Sequence, residues 1–420
     1  MEASRPTEGS LRWAPWWVLA FVALWPLPGP AELLLSLGAL AALAVLALSR
    51  FRHGHELLTG EAWALTTVLF LSYWLPEVFS SLDAVNGPRA LRESLLDLRY
   101  LPFLWLVAIA VASERGRRRT FAGLAIIVTF WLLDALVQAA TGWSLGGPAT
   151  ADRLSGVFGA DNLKLGLVLA SLSPFPLTVA ARRFGLPGWS LLALMLVVVV
   201  LLAGARASWL TLGLVLVISG WQQFGSKRAL MLLALGGVLV FGLSLALSDK
   251  LQDRVERTEA MLTGDRQDLN HALSGRLPIW STAWRMALAH PVNGVGVRGF
   301  RTAYSDYALP GDPWLADEHG AGFHAHQIVL EVLSETGVIG LLLWLCGVAM
   351  AVRAWSVAAP SARARASAPG LALLVTVFPL NTHLAFYSTF WGGLTLLLAA
   401  LFAGSLLARP AAAPAAPAAR

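Results

Sequence analysis

The chain is built from apolar runs about as long as a bilayer is thick. A helix needs roughly 20 apolar residues to cross the hydrocarbon core. Twelve segments read as spans: about 13–30, 31–49, 62–79, 95–112, 121–140, 161–180, 187–204, 207–222, 229–247, 326–352, 369–387 and 389–408. Hydrocarbon offers backbone groups no partners, so spans of this length must close their hydrogen bonds internally, as helices do. Composition agrees, since 57% of the 420 residues are hydrophobic and only 13% are charged, against about a quarter charged in soluble domains. The expected fold class is an all-α polytopic membrane protein with about 12 transmembrane helices. The Pro26–Pro30 stretch separates the first two runs, and because a second span follows at once, no cleavable signal peptide is expected. The single cysteine, Cys346, lies inside a span, which excludes disulfides and thiol metal sites.

Short loops set the orientation. With the N-terminus inside, the even-numbered loops carry Arg50 and Arg52, then Arg115, Arg117, Arg118 and Arg119, then Arg182 and Arg183, then Lys227 and Arg228, then Arg353, Arg363 and Arg365. This is the positive-inside pattern. The chain then divides into helices 1–9 (1–247), a large outer loop (248–325), helices 10–12 (326–408) and a low-complexity inner tail (409–420).

The outer loop holds eight basic and ten acidic residues. It is not a polybasic patch, and no nucleic-acid partner is expected. Within it, RLPIWSTAWRMALAHP reads as an amphipathic helix, with Pro278 in the first turn and Ile279, Trp280, Ala283, Trp284, Ala287 and Leu288 as one stripe. Such a helix can lie on the membrane surface or pack on the bundle. Three arginines on separate segments end at this same face: Arg153 in DRLSGVFGADNLKLG, Arg206 in the tight turn LLAGARASWL, and Arg276 in the loop. Each alone could snorkel to phospholipid headgroups. Together, planar guanidinium forks suit a diphosphate. Lys164 enters the span beside Arg153.

Ionisable residues also stand at the mouth of span ten, where FHAHQIVLEVLSETGVIG places His324 and His326 one residue apart. On an extended segment both rings face one side. Three readings are open: a metal site needing further ligands, for which His290, His319 and His383 are the outer-side imidazoles; a capping or packing role, suited to His324; or a general base, since histidine titrates near neutrality. No zinc-type spacing is present, and no metal or cofactor is expected. A base beside phosphate-binding arginines, at a membrane surface without ATP, asks for an already activated substrate such as a lipid-linked diphosphate sugar.

These segments carry a resemblance. HQIVLEVLSETGVIG resembles the histidine motif of the O-antigen ligase family, in which a histidine precedes Asn, Ser or Gln, then nine residues, a glycine, two more, and Gly, Thr or Tyr; His326, Gln327, Gly337 and Gly340 fit without a gap. SGRLPIWSTAWRMALAHPVNGVGVRGF is similar to that family's large-loop arginine segment, GARASW to its arginine-bearing turn, and RLSGVFGADN to its loop before the middle span. The resemblance implies an inner-membrane enzyme that transfers O-antigen polysaccharide from undecaprenyl diphosphate to lipid A–core on the periplasmic side, without metal and with inversion. It further implies His326 as general base and Arg206 and Arg276 as the groups that bind the leaving diphosphate. Arg153, Lys164, His324 and Gln327 are the secondary, substrate-binding candidates. The same superfamily includes O-antigen polymerases and protein O-oligosaccharyltransferases, and nothing in the chain reads the acceptor directly. A transporter is the reading from another class; it would be marked by charges at mid-membrane and internal repeats. Asp134 and Glu77 stand out as acidic residues near span interiors, and no repeat is evident.

Overall fold

A computed structural model describes residues 12–52, 57–149, 153–160, 162–225, 273, 275–315, 324–382 and 385–409. The expected ninth span, the loop as far as residue 272, and the tail beyond Arg409 lie outside the described residues. What is described is almost entirely helical: α1 (Ala14–Ala23), α2 (Pro28–Arg52), α3 (Gly60–Ser80), α4 (Gly87–Asp97), α5 (Tyr100–Ala112), α6 (Glu114–Thr141), α7 (Lys164–Leu172), α8 (Pro174–Leu202), α9 (Arg206–Phe224), α10 (Arg276–Ala289), α11 (Phe300–Tyr307), α12 (Ile328–Val357), α13 (Pro360–Thr376) and α14 (Thr389–Leu406). A two-stranded hairpin, β1 (Trp143–Ser144) with β2 (Gly147–Pro148), closes the turn after α6.

Among the described residues, seven helical segments are long and apolar enough to cross a membrane: 28–49, 60–80, 87–112, 114–141, 174–202, 328–357 and 389–406. The membrane-protein reading holds in this form. Several boundaries differ from the sequence expectation, each for a local reason. The run 13–30 is not one span, because the chain turns at Leu24–Leu27 and restarts at Pro28, leaving α1 only ten residues long; at 1.5 Å per residue it cannot cross alone. The run 161–180 is shared between α7 and the first part of α8, and α8 is interrupted at Gly185, whose φ of 65° is not helical. The run 369–387 stops early: α13 ends at Thr376, and the described residues of 377–388 form a loop around Pro379. A residue before proline disfavours the helical conformation, which fits the break at Phe378.

The packing hub is α14, whose residues from Trp391 to Leu406 are all buried. It is wrapped by α3, α5 and α13. The outermost helices show the opposite pattern. α2 exposes Leu33, Leu37, Leu40 and Leu48, and α6 exposes Ile126, Phe130, Leu133 and Val137. Stripes at three- and four-residue spacing are the faces of helices that meet lipid. α12 packs along α3, and one end of the bundle gathers the turn after α6, the starts of α7, α9 and α10, the start of α12 and the loop 377–388.

Candidate functional site

The arginine triad forms by three separate local devices. Arg206 opens α9 after Gly204, whose φ of 76° turns the chain sharply out of α8. Arg276 opens α10 after Gly275 at φ 72°. Arg153 is held by a clamp that the sequence reading did not foresee. Gln138, buried on α6, accepts the backbone N–H groups of Ser155 (3.0 Å) and Gly156 (2.8 Å) through Oε1. The next residue, Leu154, donates its N–H to the carbonyl of Leu202 at the end of α8 (3.4 Å). That bond carries Arg153 to the turn that bears Arg206.

Arg276 senses the charges of the other two. Burial pushes the Arg276 guanidinium down from its usual range to about 10, and the positive charges of Arg206 and Arg153 push in the same direction. At neutral pH Arg276 still keeps its proton, so the cluster is a concentration of positive charge in a partly dehydrated place. Such a place is a receptacle for anions, because desolvation strengthens every charge–charge contact made in it.

The loop 377–388 ties the remaining candidates to this cluster. Arg276 Nη1 donates to Thr382 Oγ1 (2.7 Å), and Gln327 Nε2 donates to the Pro379 carbonyl (3.3 Å). Just beyond the loop, the Lys164 ammonium lies over the Phe390 ring, 4.4 Å from its centre, a cation–π contact. Thr382 escaped the sequence reading because 369–387 looked like a single span, and Phe390 because it sits inside the next apolar run, 389–408. The polar pair Asn381-Thr382 inside that apolar run was the available signal.

The histidine pair is brought together. The rings of His324 and His326 lie 3.9 Å apart between centres, inclined by 44°, with Ala325 buried between them. His326 has φ 53°, an uncommon backbone state for a side-chain-bearing residue. The chain thereby turns directly into α12, where Gln327 is the N-cap and its Oε1 accepts the Leu330 N–H (2.6 Å). Gln327 thus makes two protein contacts, one to its own helix and one to the 377–388 loop. His290, which follows α10, has a different setting, with Nε2 2.7 Å from the hydroxyl of Tyr307 at the end of α11. His319 and His383 lie outside the described residues.

The two motif glycines account for how α10 reaches α12. At Gly337 (φ 65°, ψ −165°) α12 is broken. The freed N–H groups of Val338 and Ile339 donate to the carbonyls of Pro291 (2.9 Å) and Val292 (3.1 Å). In the other direction, Val295 and Gly296 donate to the carbonyls of Ser334 (2.9 Å) and Glu335 (3.0 Å). The Glu335 carboxylate accepts the N–H groups of Arg298 (2.9 Å) and Phe300 (3.3 Å). The segment after α10 is therefore stitched to a kink in the helix that His326 precedes. Gly340 lets α12 approach Pro76 of α3, since a methyl there would come within 3.3 Å of the Pro76 Cβ and 1.9 Å of Thr336 Oγ1. Glu335, which holds this stitch through its carboxylate, was passed over by the sequence reasoning.

The amphipathic helix is present as α10, with its stripe divided. Ile279, Ala283 and Ala287 are buried with Thr282 and Met286, while Trp284 and Leu288 face outward. It packs on α12 and still offers an apolar edge. Comparison with known proteins adds the family. The model of the O-antigen ligase family matches residues 191–345. That match supports the O-antigen ligase family. It contains Arg206, Arg276, His326, Gln327, Gly337 and Gly340, whereas Arg153 and Lys164 precede it. No curated protein matches the chain. The match supports a membrane glycosyltransferase of the O-antigen ligase and polymerase group.

Proposed function

We propose that the protein is an O-antigen ligase of the bacterial inner membrane. It takes polysaccharide from undecaprenyl diphosphate and joins it to a sugar hydroxyl of lipid A–core on the periplasmic side. The observation that carries this reading is the convergence of Arg153, Arg206 and Arg276, with Arg276 joined through the 377–388 loop to the helix that His326 precedes. In the reaction, His326 takes the proton of the acceptor hydroxyl as its oxygen attacks the anomeric carbon. The diphosphate leaves from the opposite face, inverting that centre. Negative charge grows on the leaving diphosphate, so guanidinium groups already in place favour the transition state over the ground state. Lys164 adds a further cation at the same end, and His324 adjoins the base. The positive-inside arginines gathered at the other end of the bundle support a periplasmic site.

The test is deletion of the gene followed by lipopolysaccharide electrophoresis, with purified protein assayed on lipid-linked donor. Loss of the long-chain ladder while lipid-linked polymer accumulates supports a ligase. A ladder that shortens but remains attached to lipid A–core points instead to a polymerase. Transfer that requires an ion gradient would remove the enzyme reading in favour of transport.

A further inference from the structure

The end of the bundle opposite the arginine triad holds a basic cavity that the transfer reaction does not use. It occupies about 470 Å³ where the starts of α3 and α6, the ends of α5 and α14 and the segment before α1 meet. Arg12, Arg115, Arg117, Arg119, Arg365 and Arg409 all line it. Among the described residues the only acid in its wall is Glu114, which is occupied by an ion pair with Arg117 and another with Arg118 (3.1 Å). Its floor is apolar, with Leu58, Ala62 and Ile109 buried beneath it.

Two of the arginines are structural parts of the wall. Arg117 is buried, only 6% exposed, and donates to the Val111 carbonyl (3.3 Å). Arg365 donates to the carbonyls of Ser405 (3.5 Å) and Ala408 (3.3 Å), closing the end of α14. The start of α6 faces the same cavity, capped by Ser113, which accepts the Gly116 N–H (3.1 Å). A helix start adds positive potential to that of the side chains.

Basic residues on this face are expected from the positive-inside rule, yet that rule asks only for charge near the headgroups. It does not ask that six arginines from four segments converge on one cavity with an apolar floor. We infer that this cavity is a binding site for a phosphate group, in the form carried by the headgroup of an anionic phospholipid. The arginines meet the phosphate oxygens, and the apolar floor meets the first carbons of the acyl chains. Basic pockets between membrane helices on this side bind such headgroups in general. This inference does not depend on the reaction proposed above.

The test uses the purified full chain, with retained lipid read by native mass spectrometry and melting temperature read on addition of cardiolipin, phosphatidylethanolamine or inorganic phosphate. Cardiolipin is expected to be retained and to raise the melting temperature, and phosphatidylethanolamine to do neither. Arg12→Gln combined with Arg119→Gln should lower cardiolipin occupancy about fivefold for each arginine removed. Should that pair fold poorly, Arg115→Gln, at an exposed position on the rim, gives the same reading. Arg182→Gln with Arg183→Gln, exposed at the break in α8, should keep full occupancy. An equal response to inorganic phosphate, lost in the same cavity variants, keeps the anion site and makes its ligand soluble. Equal losses in the cavity and Arg182/Arg183 variants, or no loss in either, would overturn the inference.

Discussion

Gly337→Ala tests the architecture of the site most directly. The φ of 65° and ψ of −165° at Gly337 lie where essentially only glycine resides, and another residue there costs on the order of 1–3 kcal/mol. A methyl group would sit 2.3 Å from the Val292 carbonyl carbon and oxygen and 2.4 Å from the Asn293 nitrogen. These are backbone atoms, so relief requires the segment after α10 to lift off α12. Lifting it sacrifices the bonds from Val338 to Pro291 and from Ile339 to Val292, each worth about 0.5–1.5 kcal/mol net. The expected cost is therefore about 2–6 kcal/mol. A domain is ordinarily stable by only about 5–15 kcal/mol, so the melting temperature should fall clearly. Transfer should fall further than stability alone explains, because α10 carries Arg276 and α12 follows His326; a misplacement of about 1 Å can cost on the order of 100-fold in rate. Gly213→Ala supplies the control. Gly213 lies within α9 with nothing within 4 Å of its added methyl, and alanine there should stabilise by about 0.5–1 kcal/mol. Purified variants would be melted and then assayed for glycan transfer at a temperature where both are folded. If Gly337→Ala melts and transfers like the parent protein, the stitched kink does not position the site.

The other expectations concern the chemistry. His326→Ala should lower the transfer rate roughly 10²–10⁴-fold with donor binding largely kept, and His324→Ala should cost less, as single-turnover assays would reveal; full activity in His326→Ala removes the base. Arg206→Lys and Arg276→Lys keep a charge but lose the planar fork, so each should reduce transfer strongly, and a double variant no worse than either single one would mark a shared diphosphate site. The pH profile should rise through the neutral range as a histidine base loses its proton and decline as pH approaches about 10, where Arg276 loses its own; an activity that falls across the neutral range would make His326 a phosphate-binding cation instead.

Much of this site was legible in the sequence, and the part that was not has a physical explanation. Apolar run length exposes a span because burial in lipid is a property of consecutive residues, so α3, α12 and α14 could be read to within about five positions. The convergence of the arginines could be anticipated because topology alone sends three segments to one face. The loop 377–388 could not, since its function depends on breaking a span: Pro379 and the pair Asn381-Thr382 sit in a run whose average is apolar. Gln138 was invisible for another reason. Its partners, the N–H groups of Ser155 and Gly156, lie 17 and 18 residues away and carry no side-chain signature. Glu335 had the same disguise, as an acid on a membrane helix whose ligands are the backbone amides of a distant turn. The amphipathic stripe on α10 was readable as a stripe, but which half meets protein and which half stays outward depends on where α12 lies.

The motif position after the histidine admits Asn, Ser or Gln, and the geometry at Gln327 gives that choice a cause. What the three share is a side-chain oxygen able to accept from a backbone N–H near a helix start. Gln327 uses its Oε1 in this way on Leu330, the third residue of α12. Its Nε2 at the same time reaches the loop that holds Thr382 under Arg276. Asparagine and serine are among the strongest caps, whereas alanine in such a place costs about 0.5–2 kcal/mol. Because His326 immediately precedes the cap and holds a left-handed φ of 53°, loss of the cap frees the backbone that aims the imidazole. Gln327→Asn should therefore keep most of the transfer rate and Gln327→Ala should lower it, through the turnover number rather than donor affinity. A substrate contact predicts the reverse split, with donor or acceptor affinity weakened in both variants because the shorter asparagine no longer reaches. Steady-state kinetics of the two variants decide between them, and an affinity loss shared by both would return Gln327 to the substrate side of the site.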